Sequence, residues 1–234
     1  MTADRFDFDD TEGAWHRRID LDDWDDVYVV GDVHGCFDAM KRLLATLEVT
    51  TDDLVVFVGD LVRKGPDSKA VVQTVREADN MLTIRGNNEE KLLRGEKELP
   101  ELSAVDMDYI KSMPVVISWA DGVVVHGGID PRKPLAEHDV DDVQNTRSLT
   151  DDSYGRPFWW DEYAGDRRAF FGHTVLSTPV VREHAIGLDT GCVYGGDLTA
   201  YDVRNDEVVA VELDRDGLSR SDDSIVDTRE RVVA

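Results

Sequence analysis

Val27 to Gly31 is an unbroken apolar, β-branched run, the mark of a strand buried on both faces. Phe37, Met40, Leu43, Leu44 and Leu47 follow at helical spacing, which predicts a helix after that strand. Leu54 to Val58 repeats the apolar run. Ser68 then reads as the cap of a helix to about Ala78, with Ala70, Val71, Thr74 and Val75 on one face. Met81 to Ile84 is a third strand, and Asn88 to Arg94 begins another helix. This βαβαβ alternation predicts a parallel sheet with right-handed crossovers.

The pattern then shortens. Arg17 to Leu21 fits a short edge strand. Val115 to Trp119 and Val123 to His126, separated by Asp121-Gly122, read as a hairpin. Ala169 to Phe171, Val180 to His184, Ile186 to Asp189, Leu198 to Val203 and Val208 to Leu213 are further short strands. They imply a second sheet, mixed or antiparallel. The domain reading is an acidic arm at 1–26, one globular domain at 27–213 and a charged, partly disordered tail at 214–234.

Charge changes the picture. The chain of 234 residues holds 50 acidic and 26 basic side chains, a net charge of −24. Such self-repulsion destabilises a compact state in dilute buffer and is screened by salt, so the chain reads as a halophilic protein of a salt-rich cytoplasm. The same charge argues against a nucleic-acid partner, which needs clustered Lys and Arg. No apolar run is long enough for a membrane helix, and the N-terminus lacks the apolar stretch of a secretory signal. Cys36 and Cys192 could form a disulfide, but a reduced cytoplasmic pair fits better.

Chemistry concentrates at the turns that follow the strands. Gly31-Asp32-Val33-His34-Gly35, Gly59 to Pro66, Arg85-Gly86-Asn87-Asn88-Glu89, His126-Gly127-Gly128 and Gly172-His173-Thr174 each join a side chain able to bind metal to a glycine that permits a tight turn. Open α/β sheets bind ligands at such strand ends. A mixed nitrogen and oxygen donor set suits Mn²⁺, Fe, Zn²⁺ or Co²⁺ better than Ca²⁺.

In this order and spacing the segments resemble the phosphoprotein phosphatases of the calcineurin-like metallophosphoesterases. The likeness runs from about Val27 to Val203 and includes the closing stretch Leu188 to Thr199. The small phage and bacterial members and the diadenosine tetraphosphate hydrolases are the nearest in pattern. The resemblance implies an α/β fold of two mixed β-sheets packed face to face with helices outside, a four-layer αββα sandwich. It implies two divalent transition ions, Mn²⁺ first, with Fe, Zn²⁺, Co²⁺ or Ni²⁺ as alternatives. Asp32 and His34 would bind the first ion, Asp60 would bridge both, and Asn87, His126 and His173 would bind the second. Arg85, Lys64 and an arginine between the last two histidine segments would contact phosphate. Arg147 is the candidate for that arginine, with a surface ion pair as the other reading. Two cations about 3.5–4 Å apart lower the pKa of water to about 7 and clamp an in-line displacement. The substrate implied is a phosphorylated small molecule, nucleotide or phosphoprotein.

Two positions depart from the family pattern. A histidine that protonates the leaving oxygen is replaced by Asn88, and the aspartate that orients it by Arg63. The tetraphosphate hydrolases also lack the aspartate but keep the histidine. An amide donates a hydrogen bond but is no general acid near neutral pH. With Asp60, Asn88, Arg63 and Arg85 as the catalytic set, the changes point to good leaving groups, anhydrides or aryl esters. The function implied is a two-metal phosphoesterase of the serine/threonine protein phosphatase type that hydrolyses phosphate esters or anhydrides; the alternatives are a bis(5'-nucleosyl)-tetraphosphatase and a metal-bound regulatory module without turnover. His16, His138 and His184 match no motif and read as packing or surface residues. Phe158, Trp159 and Trp160 read as core, or as a wall of the cleft.

Overall fold

A computed structural model describes residues 15–213 and 217–228; most of the expected N-terminal arm and the ends of the expected tail lie outside these residues. In chain order the elements are β1 (His16–Arg18), β2 (Val27–Val30), α1 (Phe37–Thr46), β3 (Leu54–Phe57), α2 (Ser68–Glu77), β4 (Met81–Thr83), α3 (Asn87–Leu93), α4 (Ala104–Ser112), β5 (Val116–Ser118), β6 (Gly122–Val124), α5 (Val140–Asn145), α6 (Trp159–Glu162), β7 (Arg168–Phe171), β8 (Val180–Val181), β9 (Ala185–Gly187), β10 (Asp197–Asp202) and β11 (Glu207–Glu212).

Among the described residues these form two mixed sheets. One runs β11-β10-β2-β3-β4, the other β1-β5-β6-β7-β9-β8. The β2-β3-β4 core is parallel, as the βαβαβ pattern predicts, and β5 and β6 form the expected antiparallel hairpin. The last two strands differ from expectation in their placement. β10 and β11 return to the first sheet, β10 pairing antiparallel with β2. Strand periodicity shows which side chains face inward, not which edge a strand joins, so this return was not readable from pattern.

Period-two alternation assigns each side chain to a layer. Val27, Val29, Leu54 and Val56 meet Ile117, Val124, Phe170 and Ile186 between the sheets. Their neighbours Tyr28, Val30, Val55 and Phe57 face outward under α1 and α2, with Met40, Leu43, Val71 and Val75. On the other side Val123, Ala169, Phe171 and Ala185 pack with Val143, Trp159 and Trp160. The result is the four-layer αββα sandwich. Its central strands are apolar throughout because both faces are covered.

Several local expectations shift. The cap of α2 is Asp67, whose side chain accepts from the Ala70 amide, and the buried face is Ser68, Val71, Val72 and Val75; Ala70 and Thr74 are only half-buried. Helix α4 was not expected from apolar spacing, yet Ser103 and Asp106 cap it reciprocally. Within the expected arm, His16–Arg18 pairs parallel with β5. Within the expected tail, Val226 is buried and bridges Leu176. Cys36 and Cys192 are both buried and not joined by a disulfide. Phe158, Trp159 and Trp160 are core: Trp159 stacks edge-on to Phe171 at 4.8 Å and donates its indole N–H to the Gly127 carbonyl at 3.0 Å. His138 is buried and accepts from the Asp130 amide at 2.9 Å, His16 bonds Ser118 Oγ at 2.7 Å, and His184 is partly exposed. No described helix is long and apolar enough to cross a membrane.

Candidate active site

The strand register brings the motif loops to one end of the sandwich. Val30 pairs with Phe57 and Phe57 with Thr83, so β2, β3 and β4 end level. Asp32 and His34, Asp60, and Asn87 therefore emerge side by side. In the facing sheet Val124 pairs with Phe170, which sets His126 and His173 level with each other. Stacking the sheets joins the two groups.

These loops are tightly cross-tied. The His34 amide donates to the Asp60 carbonyl at 2.8 Å, and the His173 amide lies 3.1 and 3.2 Å from the two carboxylate oxygens of Asp32. His34, Asp60, Arg63, Lys64 and His173 all adopt positive φ without being glycine. That strain clusters where function is expected. Glycine is required beside the carboxylates: a Cβ on Gly172 would run into Asp32 Oδ1, and one on Gly86 into Asp60 Oδ1.

Donor atoms converge in the interior. One oxygen of Asp32, one ring nitrogen of His34 and one oxygen of Asp60 lie within 4.8 Å of one another, all three residues being buried. His34 Nε2 is 3.5 Å from Asp60 Oδ2, and His126 Nε2 is 3.4 Å from Asp60 Oδ1. Asp60 thus stands between two imidazoles. Asn87 Oδ1 lies 3.2 Å from His126 Nε2. His34 and His126 place Nδ1 against the backbone carbonyls of Val62 and Val58, at 3.1 and 2.8 Å. A donated Nδ1–H leaves Nε2 as the atom that faces the carboxylates and, once that nitrogen is unprotonated, as the one able to bind a metal. His173 Nε2 is buried with no hydrogen-bond partner among the described residues, and its ring sits 5.0 Å from that of His126. Convergent buried acceptors and an orphaned imidazole nitrogen fit divalent cations.

Protonation follows neighbours. Burial lowers His34 to about 4. Burial also opposes charge on His126, but Asp60 and Asp32 outweigh it and raise the ring to about 9. His173 is held well below the usual range by burial, then by the charges of Arg147 and His126. Asp60 is kept ionised: its burial is overcome by His126 and His34. Asp32 is pushed well above the usual carboxylate range by burial and by Asp189.

The remaining expected residues divide. Asn88 is buried, donates its amide N–H to Asp60 Oδ2, and accepts from Arg63 Nη1. Lys64 Nζ lies 2.6 Å from His34 Nε2. Arg147 is near the site: its Nε is buried without a partner, and its guanidinium stands over Tyr154 at 5.5 Å. Of the two readings given above, the structure shows no surface ion pair for it among the described residues. Arg85 is held in an ion pair with Glu90 at 2.8 Å.

Three residues near the site were not assigned roles from sequence. Glu89 is fully buried; one oxygen accepts from the Asp60 and Gly86 amides, both at 2.9 Å, and the other from Val62 at 3.1 Å. Its place three residues after Gly86, the third of the helix, was the available signal. Asp189 is buried and accepts from the Gly191 amide at 3.0 Å; it lay in the closing segment. Arg220, in the expected tail, had no signal.

This chain belongs to the calcineurin-like phosphoesterase family, whose model matches residues 26–211; it is a phosphoester hydrolase of a family with divalent metal chemistry. Among its relatives is the asymmetrical bis(5'-nucleosyl)-tetraphosphatase PrpE of Oceanobacillus iheyensis, 30% identical over 78% of this chain and 90% of the relative. Serine/threonine-protein phosphatase 1 of Salmonella typhimurium is 28% identical over 79% of this chain and 94% of its own length. A crystal structure provisionally named as a diadenosine tetraphosphatase superposes with a TM-score of 0.77 at 28% identity, covering 85% of this chain and 98% of that one.

Proposed function

We propose that this protein is a two-metal hydrolase of phosphoanhydrides, with dinucleoside polyphosphates as its substrate class and aryl phosphates as surrogates. Two divalent ions, Mn²⁺ being our choice, held by Asp32, His34 and Asp60 on one side and by Asp60, Asn87, His126 and His173 on the other, would supply a hydroxide nucleophile at neutral pH and Lewis-acid stabilisation. The chain's own groups do the rest. Asp60 stays ionised between the imidazoles. His34 and His126 are oriented by backbone carbonyls. Lys64 and Arg147 bring positive charge to the phosphate.

The observation that carries the choice of substrate is the bonding of Asn88. Its amide is spent on Asp60, and its oxygen on Arg63. At the position where the resemblance calls for an acid, the chain has no proton to give. A leaving group must then depart without protonation, which a nucleoside phosphate or phenolate does far more readily than a serine alkoxide. Similarity to PrpE supports dinucleoside polyphosphates as the substrate class. The test is Asn88→His. General acid catalysis contributes roughly 10²–10⁴-fold, so this variant should raise alkyl phosphate turnover by about 10²-fold and change anhydride turnover little. Unchanged alkyl phosphate turnover would remove the leaving-group argument.

A further inference from the structure

Cations without anions are unexpected in a chain of net charge −24. Arg94, Arg132 and Arg168 are each paired with a carboxylate, whereas Arg42 and Arg204 bond backbone carbonyls and Arg63 an amide oxygen. Among the described residues Lys64, Arg147 and Arg220 have no carboxylate at ion-pair distance. They are instead linked through two tyrosines. Arg220 stands over the Tyr194 ring at 4.7 Å, with Lys64 at 5.3 Å from the same ring. Arg220 also donates to the Tyr154 hydroxyl at 2.9 Å, and Arg147 stands over the Tyr154 ring.

The C-terminal segment is seated so as to bring Arg220 there. The Leu218 amide donates to the Val193 carbonyl at 2.8 Å, and the Val226 amide to the Val175 carbonyl at 2.8 Å. Its two anchors are thus the closing segment and the loop that carries His173. Arg220 Nε bonds the Ser224 carbonyl at 3.0 Å, which fixes the guanidinium within its own segment. Burial raises the Asp189 carboxyl, and the charges of Lys64 and Arg220 oppose that rise; burial lowers Arg147, and the charge of Arg220 adds to it. The cations therefore share one field beside the acceptor cluster. A like-charged group of this kind is stable when an extended anion lies across it.

We infer that Arg220, together with Arg147, forms a clamp for the non-scissile phosphates of a polyphosphate chain, making the C-terminal segment part of the substrate site. This rests on the anhydride reading. A single phosphate at the metal centre would be held by the loop residues, whereas a chain of phosphates would extend to Arg220. Arg220 is a specificity residue on this account, and its loss should separate long from short anions.

The test uses the full chain in molar KCl. Binding of inorganic tripolyphosphate and of orthophosphate is measured by calorimetry for the wild type, Arg220→Gln, Arg220→Lys and Tyr154→Phe. Charge-assisted contacts to phosphate are the strong ones, so Arg220→Gln should weaken tripolyphosphate by about tenfold and orthophosphate by less than about twofold. Arg220→Lys should fall between wild type and Arg220→Gln. Tyr154→Phe, which frees Arg220 without removing its charge, should weaken tripolyphosphate by about threefold; it and the lysine variant decide the matter if the glutamine variant does not fold. Steady-state rates add a second readout: KM for diadenosine tetraphosphate should rise in Arg220→Gln, while kcat for an aryl phosphate holds. Equal weakening of both anions, or of neither, would overturn the clamp. Aryl phosphate turnover without any tetraphosphate turnover in the wild type would instead defeat the substrate reading, and tripolyphosphate selectivity would still judge the clamp.

Discussion

The two sheets bring unlike chemistry to the site they share. The loops after β2, β3 and β4 supply carboxylates, an amide and one imidazole, in Asp32, Asp60, Asn87 and His34. The loops after β6 and β7 supply only imidazoles, His126 and His173. Within this second set the same residue type is tuned in opposite directions. His126 faces Asp60 and Asp32 and is raised to about 9. His173, close by, feels burial and Arg147 and is held well below its ordinary value. The carboxylates of the first half raise His126 and His126 in turn helps to keep Asp60 ionised, so neither half is a site alone.

Removing the residue that both halves share breaks the comparison most severely. Asp60→Asn should lower phosphate release by at least about 10³-fold, the scale of losing a preorganised charge in an active site. Elemental analysis of the purified variant should show fewer bound ions than the wild type; full occupancy with full activity would refute the role of Asp60.

Titration sharpens the comparison. In the metal-free protein the folded pKa of His126 lies above its ordinary 6.5, at about 9. Its charge therefore stabilises fully below pH 6.5, and that contribution is lost as pH rises through about 9. A metal must displace this proton, so affinity should climb by up to about tenfold per pH unit between those limits. Competition with a chelator at several pH values measures this; a flat profile would count against His126 as a ligand.

Glu89 tests the first sheet alone. Its carboxylate accepts three backbone N–H groups, from Asp60, Val62 and Gly86, yet burial and Asp60 raise it to about 7. Glu89→Gln would turn an N–H toward one of these buried donors. The expected loss is about 1–3 kcal/mol, the cost of an unsatisfied buried group, read from the denaturant midpoint. An unchanged midpoint would mean the loops hold their shape without it. The smallest effect is general. Screening of the net charge should raise the melting temperature by several degrees between dilute and molar KCl, and no rise would remove the halophilic reading.

Much of this was legible in sequence, for identifiable reasons. The β2-α1-β3-α2-β4 run was readable because both faces of its strands are buried and the helices carry one apolar stripe. Asp32, His34, Asp60, Asn87, His126 and His173 were readable as candidate ligands because each sits beside a glycine at a strand end. Helix α4 was missed because its apolar spacing is weak, although Ser103 and Asp106 cap it. The return of β10 to β2 depends on long-range packing that no local pattern encodes. Arg220 was invisible for the same reason: its segment is polar, and it is placed by hydrogen bonds to Val193, Val175 and Ser177, far away in sequence. Glu89 was visible as a motif residue, but the three amides it accepts come from two separate loops.

The measurement that bears most directly on the central claim is phosphate release by the purified chain in molar KCl with Mn²⁺. Diadenosine tetraphosphate, an aryl phosphate and a phosphoserine peptide are compared under identical conditions. The account predicts turnover of the anhydride and the aryl ester, with little from phosphoserine. Efficient phosphoserine turnover, or no turnover of any substrate by metal-loaded protein, would contradict it.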